Sequence, residues 1–295
     1  MVSDKINGST KVFGVIGDPI CHTMSPMIHN TMAQMLNTNL VYTGFRVKAE
    51  GLKDAIRGAY CLGIAGLNVT VPHKKAVMEC LCTIDKTAEA VGAVNTLKYT
   101  ESGYVGYNTD MIGSEYALKT NGVEIDGKTV LVLGAGGAAN ALTAMAAKNN
   151  AEKIYIVNRT LEKAQTLAEH IKKYYNVEIL PMSISDINKI ERCDLVLNGT
   201  TLGFGENIEK TPVEDASFFK KAEVQVVFDA IYSPWETVLL KNAAKMGIKT
   251  INGFDMLIYQ AAAAREIWCE ENLSKTFLNE LREKLTKYYL GELNK

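Results

Sequence analysis

The chain has 295 residues, 47% of them hydrophobic and 22% charged, with 32 lysines and arginines against 33 acids. That length allows two domains with a core each, and a net charge of −1 provides no field that would gather nucleic acid. No apolar run approaches the ~18 residues that cross a bilayer, and the opening MVSDKINGST has no secretory-signal pattern.

The six cysteines show no CxxC pair and the four histidines no ligand spacing, so neither a metal site nor a disulfide framework is expected. Reduced thiols point to the cytoplasm. The expected partner is a small-molecule substrate, with no nucleic acid and no membrane. The composition leaves monomer and homodimer both open.

From Lys11 the pattern is short β-branched runs separated by helix-length segments, the rhythm of βαβ units. KVFGVIG (11–17), LVYTGFRV (40–47) and IAGLNVTV (64–71) read as strands. Ser25 followed by Pro26 opens a helix through Leu36, with Ser25 as the expected cap. Two further short helices are expected over 51–60 and 75–81. AVNTLKY (93–99) and YVGYNTD (104–110), joined by a turn at ESG (101–103), form a hairpin at an antiparallel edge. The first unit is therefore a mixed sheet.

A polar helix over about 111–121 and a turn at Asp126–Gly127 lead into TVLVLG (129–134), an apolar run typical of a parallel strand buried on both faces. KIYIVNR (153–159), VEIL (177–180), DLVLNGT (194–200), VQVVFDAI (224–231) and IKTING (248–253) continue as strands of a doubly wound, Rossmann-like sheet. The tail from Phe254 reads as helical and amphipathic.

GAGGAA (134–139) lies directly between the strand TVLVLG and a helix of small residues, which is the setting in which G-x-G-x-x-G/A binds a dinucleotide. Gly134, Ala135, Gly136, Gly137 and Ala138 would let the pyrophosphate approach the backbone, and the helix N-terminus would meet its charge. The following strand ends in Asn158, Arg159 and Thr160 rather than in an acid. An acid there would accept from a ribose 2′-OH, whereas the fork of Arg159 suits a 2′-phosphate. The expected cofactor is NADP. The same NRT also reads as a helix cap, with Thr160 preceding Leu161.

Hydride transfer to a ketone needs a group that gives or takes a proton. NVTVPHKK (68–75) offers Lys74 past a strand that Pro72 terminates. YNTD (107–110) offers Asp110 at the same sheet edge, where a carboxylate would hold the amine and favour its charged form.

Together HTMSP (22–26), NVTVPHK (68–74), AVNT (93–96), GYNTD (106–110), GAGGAA, NRT, NGT (198–200), DAIYSP (229–234) and GFDMLIYQAA (253–262) resemble the shikimate dehydrogenase family in the same order along essentially the whole chain. The resemblance implies reversible, NADP-dependent reduction of 3-dehydroshikimate to shikimate in aromatic biosynthesis. It implies a catalytic pair of Lys74 and Asp110. Thr23 and Ser25 would hold the substrate carboxylate, with Asn68, Thr70, Asn95 and Gln260 on ring hydroxyls, Tyr232 nearby, and Thr200 and Gly253 on the cofactor side. It also implies C-terminal helices that return to the first domain, giving a substrate domain of 1–112 plus 255–295 and an NADP domain of 113–254.

Four positions depart from the family pattern. Thr23 stands where Ser is usual, Met111 where Gly is common, Asn140 where Arg is frequent, and Ser233 in place of Asn. The first leaves a quinate or dual quinate/shikimate dehydrogenase with NAD(P) as the alternative. The third leaves Arg159 to carry more of the preference for NADP. A nucleotide-sensing protein without turnover is the reading from another class, and retention of Lys74 and Asp110 speaks against it.

Overall fold

The computed structural model describes residues 6–293, so the first half of MVSDKINGST lies outside the described residues. The chain forms two compact units. The first comprises the chain up to Glu89, Ala93–Thr109 and everything from Ile258 onward; the second comprises Ala90–Gly92 and Asp110–Leu257.

In chain order the first unit contains β1 (Lys11–Gly17), α1 (Ser25–Met35), β2 (Leu40–Arg46), α2 (Leu52–Cys61), β3 (Gly66–Val69), β4 (Thr83–Ile84), α3 (Lys86–Val91, which reaches the boundary), β5 (Thr96–Thr100) and β6 (Gly103–Tyr107). Its sheet runs β2-β1-β3-β5-β6-β4. β1 pairs in parallel with β2 and β3, while β3–β5 and β5–β6 are antiparallel. α2 shows why such segments fold as they do. Leu52, Ile56 and Ala59 recur at helical spacing and are buried, joining Leu67, Val69 and Leu97 from the sheet in one core.

The second unit contains α4 (Asp110–Thr120), β7 (Thr129–Leu133), α5 (Gly137–Lys148), β8 (Lys153–Asn158), α6 (Leu161–Lys172), β9 (Glu178–Ser183), β10 (Leu195–Asn198), α7 (Ser217–Lys221), β11 (Val226–Asp229), α8 (Val238–Lys245) and β12 (Lys249–Ile251). The sheet order is β12-β11-β10-β7-β8-β9, and every pair is parallel. This is the doubly wound arrangement, with its order reversing between β7 and β10. The inner strands β7 and β10 are buried on both faces, as their continuous apolar sequences require. α9 (Phe254–Cys269) then leads back to the first unit, where α10 (Lys275–Leu293) also lies.

Several local expectations differ from the structure. The strand expected over 64–71 spans only Gly66–Val69, because Thr70 to Lys75 turn away before a 3₁₀ helix over Ala76–Cys80 replaces the expected helix at 75–81. The hairpin β5–β6 is not the sheet edge, since β4 adds outside β6 in parallel. Met24 occupies the cap position of α1, placing Ser25 in the first turn. α9 is not amphipathic. Phe254 to Arg265 are buried except Leu257, and four successive alanines let neighbouring elements approach all round. α10 does present a stripe, with Leu281, Leu285 and Tyr289 buried one turn apart.

Candidate active site

The strand directions of the first sheet put the carboxyl ends of β1, β3 and β6 and the amino end of β5 along one edge. The expected substrate residues of the first unit gather there. Thr23 lies in the loop after β1, Ser25 opens α1, Thr70 and Lys74 follow β3, and Asn95 precedes β5. Gln260 comes to the same place from α9, with its Oε1 3.4 Å from the Thr109 hydroxyl that follows β6. Asp110 is the next residue, opens α4 and is buried.

A hydrogen-bond chain sets these groups. The Tyr42 hydroxyl donates to Asn68 Oδ1 at 2.8 Å, and Asn68 Nδ2 donates to the Asn95 carbonyl at 3.2 Å and to Thr96 Oγ1 at 3.0 Å. Thr96 passes its own hydrogen to Asn95 Oδ1 at 2.9 Å, which also accepts the Thr109 N–H at 2.8 Å. Asn95 Oδ1 is thereby held by donors from two neighbouring segments. Asn68 has both amide hydrogens committed, so it contributes mainly by fixing Asn95. Burial pushes the Tyr42 phenol well above its ordinary pKa, which keeps it a donor.

Behind this chain, the His29 ring stacks on Tyr42 with centroids 4.1 Å apart. Burial, with the charge of Arg265 second, holds the His29 pKa down to about 3, so the ring is neutral. Trp268 of α9 lies over Gly66, where a Cβ would collide with the indole, and donates its Nε1–H to the Leu97 carbonyl at 2.9 Å. This keys α9, and hence Gln260, to the sheet.

The turn bearing Lys74 is likewise fixed through its backbone. Val94 N–H donates to the Lys74 carbonyl at 2.8 Å, and the buried His73 ring places Nε2 2.6 Å from the Val47 carbonyl. Gly17 leaves room for the Thr70 methyl, which a Cβ there would strike. Thr23 Oγ1 donates to Ser25 Oγ at 3.1 Å and accepts the Ser25 N–H at 3.2 Å, so the two hydroxyls form one cluster.

In the second unit the nucleotide candidates line the carboxyl edge of the parallel sheet, where open α/β sheets bind ligands. Gly134 directly follows β7 with φ +103°, a backbone suited to glycine. Gly136 occupies the cap position of α5, no side chain caps that end, and Gly137 and Ala138 form its first turn. Gly199 packs on this helix, since a Cβ there would sit 2.6 Å from Ala139 N. Thr200 neighbours Gly134, whose Cβ would be 3.1 Å from the Thr200 methyl. After β8, Asn158 Nδ2 donates to the Thr160 carbonyl at 2.8 Å, while Arg159 is exposed. Thr160 takes the cap position of α6 but makes no side-chain cap bond. Tyr232 and Gly253 follow β11 and β12 at the same edge.

These features fit a dinucleotide: a glycine turn in left-handed backbone, a helix end without a side-chain cap and an exposed guanidinium beside it. Asn140 faces elsewhere. It is buried and donates to the Val91 carbonyl at 3.1 Å, which explains why it offers no phosphate contact. A recess of about 940 Å³ lies at the opposite, amino edge of the sheet. Its Lys119 and Lys148 are paired with Glu115.

Sequence reasoning missed Tyr42, Thr96 and Thr109. Tyr42 sits inside a strand, where a buried phenol needs a partner, and that was a readable signal. Thr96 and Thr109 carried none beyond their neighbours.

A profile of the shikimate dehydrogenase substrate-binding domain matches residues 15–97, and one of shikimate/quinate 5-dehydrogenase matches residues 115–231. The shikimate dehydrogenase (NADP(+)) of Methanocaldococcus jannaschii is 44% identical over 287 residues, covering 96% of this chain and 100% of the relative. Shikimate 5-dehydrogenase from Thermus thermophilus, solved with NADP(H) and shikimate, superposes with a TM-score of 0.80 at 30% identity, covering 93% of this chain and 99% of its own. The Listeria monocytogenes enzyme, solved with shikimate and NAD, gives 0.85 at 32% identity, covering 96% and 99%. With two matching domain profiles and a relative aligned end to end, the chain belongs to the shikimate dehydrogenase family.

Proposed function

We infer that this protein is an NADP-dependent shikimate dehydrogenase, an oxidoreductase acting on a CH–OH group, which interconverts 3-dehydroshikimate and shikimate in aromatic biosynthesis. The observation that carries the reading is the full-length relationship to NADP-dependent shikimate dehydrogenases, together with the gathering of Thr23, Ser25, Thr70, Lys74, Asn95 and Gln260 at one sheet edge. The family name spans shikimate and quinate, and relatives aligned along most of the chain are named NADP-dependent shikimate dehydrogenases.

In this reading residues 1–112 with 255–295 serve the substrate and 113–254 serve NADP. The α5 N-terminus with Gly134, Ala135, Gly136, Gly137 and Ala138 holds the pyrophosphate. Arg159, with Asn158 and Thr160, holds the 2′-phosphate, and Thr200 and Gly253 complete the cofactor side. When bound, the cofactor supplies or accepts the hydride.

The hydroxyls of Thr23 and Ser25 bind the substrate carboxylate. Thr70, Asn95 and Gln260 sort the ring hydroxyls, with Asn68 fixing Asn95 at the same edge and Tyr232 beside them. In the reductive direction Lys74 stabilises the oxygen as it gains negative charge and provides its proton, directly or through a water. Asp110 holds Lys74 charged and oriented. No described helix is long and apolar enough to cross a membrane, and a cytoplasmic location, as monomer or homodimer, completes the proposal.

Lys74→Ala tests the chemistry. The parent should oxidise shikimate with NADP+, and the variant should lose about 10²- to 10⁴-fold in kcat with little change in shikimate affinity. Unchanged turnover would remove Lys74 from the mechanism.

A further inference from the structure

At the carboxyl edge of the parallel sheet lies a carboxylate that the proposed chemistry leaves unused. Asp229 ends β11 and is wholly buried. Three neutral donors from separate segments converge on it. Asn198 Nδ2 donates to Oδ1 at 2.9 Å from the end of β10, and Ile231 N–H donates to the same oxygen at 3.1 Å. The Thr237 hydroxyl donates to Oδ2 at 2.7 Å and accepts the Leu240 N–H, capping α8.

Two of the three donors lead on to cofactor-side candidates, while the third caps α8. Asn198 Oδ1 accepts both the N–H and the hydroxyl of Thr200, at 3.0 and 2.8 Å, so the amide that Asp229 orients sets the threonine beside Gly134. Ile231 fixes the loop that continues to Tyr232. The Ile231 carbonyl accepts the Gly253 N–H at 3.0 Å, and Gly253 packs so closely on the Ala230 carbonyl that a Cβ would collide with it.

We propose that Asp229 is the positioning residue of the cofactor side, a buried acceptor that sets the loops bearing Thr200 and Gly253. The proposal rests on the NADP reading above. A carboxylate suits this task because each of its oxygens accepts only, so its neighbours must turn their donors inward. Burial raises its pKa to about 6 against the hydrogen bonds that lower it, so the fold retains a group that disfavours its own ionisation. A residue present for stability alone has no need of that disadvantage.

The test is calorimetric titration of NADP+ and, separately, of shikimate into the full chain. Asp229→Leu keeps the branched shape, with bulkier methyl groups in place of the oxygens, and removes every acceptor; Asp229→Asn keeps one oxygen for Asn198 and Ile231. Asp229→Leu should weaken NADP+ about 10-fold or more while shikimate changes by about 2-fold at most, and Asp229→Asn should recover most of the loss. Asp229→Leu binding NADP+ like the parent, or losing both ligands alike, would overturn the proposal. If Asp229→Leu has no cooperative melt, Asn198→Ala decides: weakened NADP+ binding supports the linkage to Thr200 and parental binding overturns it. A parent that binds no NADP+ refutes the cofactor reading itself, and is thereby distinguished from a failure of Asp229 alone.

Discussion

The two sheet edges that carry the proposed binding residues are built in different ways. In the first unit the edge is made of side chains that fix one another. Tyr42 sets Asn68, Asn68 sets Thr96, and Thr96 with Thr109 sets Asn95, all of them buried. In the second unit the edge facing the cofactor is made largely by leaving side chains out. Gly134 takes a backbone other residues resist, Gly199 admits the close approach of α5, and the cap position of α5 is a glycine. A polyol is sorted by the direction of donors and acceptors, which demands locked amides and hydroxyls. A pyrophosphate is bound by N–H groups and a helix end, which demand bare backbone. In the proposed reading Arg159 is the exception on the cofactor side, an exposed side chain that would hold the 2′-phosphate.

That contrast breaks most easily at Arg159. Arg159→Gln removes the charge-assisted bonds to a 2′-phosphate and should weaken NADP+ by about 10- to 100-fold, as a loss of roughly 1.5–3 kcal/mol implies. NAD+ and shikimate affinities should not move. Equal weakening of NAD+ would show that Arg159 supports the loop generally and does not read the phosphate.

Tyr42→Phe probes the side-chain network. It leaves Asn68 Oδ1 buried without its donor, at a cost of about 1–3 kcal/mol in unfolding free energy. Shikimate affinity should fall with it while NADP+ affinity stays, as measured by urea unfolding and by titration of each ligand. A variant that loses stability but keeps shikimate affinity would separate Asn68 from substrate placement.

The smallest effect is a pH dependence, in which one buried group in each unit carries the opposite sign to the other. His29 has its pKa lowered from 6.5 to about 3, so the unfolded chain takes up a proton that the fold refuses, and its stabilisation is lost as pH falls through that window. Asp229 is raised from 3.8 to about 6, so the fold keeps a proton that the unfolded chain releases, and acidification from 6 towards 3.8 favours folding. Each slope is at most about 1.4 kcal/mol per pH unit. The two offset each other where the windows overlap. Asp229→Asn should therefore lose stability on acidification more steeply than the parent, in urea midpoints taken across that range. Parallel curves would contradict the raised carboxyl.

Much of the architecture was legible because parallel strands buried on both faces must be apolar throughout. TVLVLG and DLVLNGT announced β7 and β10, and the glycine loop announced α5. β4 was not legible, since two residues carry no periodicity. The character of α9 was misread because alanine suits both a surface and a tightly packed interior, and only the surrounding elements decide between them. The residues expected at the substrate edge could be named from their motifs, but the network behind them could not. Tyr42 lies far from Asn68 in sequence, and the pairing of β1 with both β2 and β3 is what brings them together.

The most direct measurement is the initial rate of the purified parent protein with shikimate and with quinate, each offered NADP+ and NAD+, followed by the absorbance of reduced nicotinamide. The account predicts that shikimate with NADP+ gives the highest kcat/KM of the four pairs. Faster oxidation of quinate with NAD+, or no turnover of shikimate with either cofactor, would contradict it.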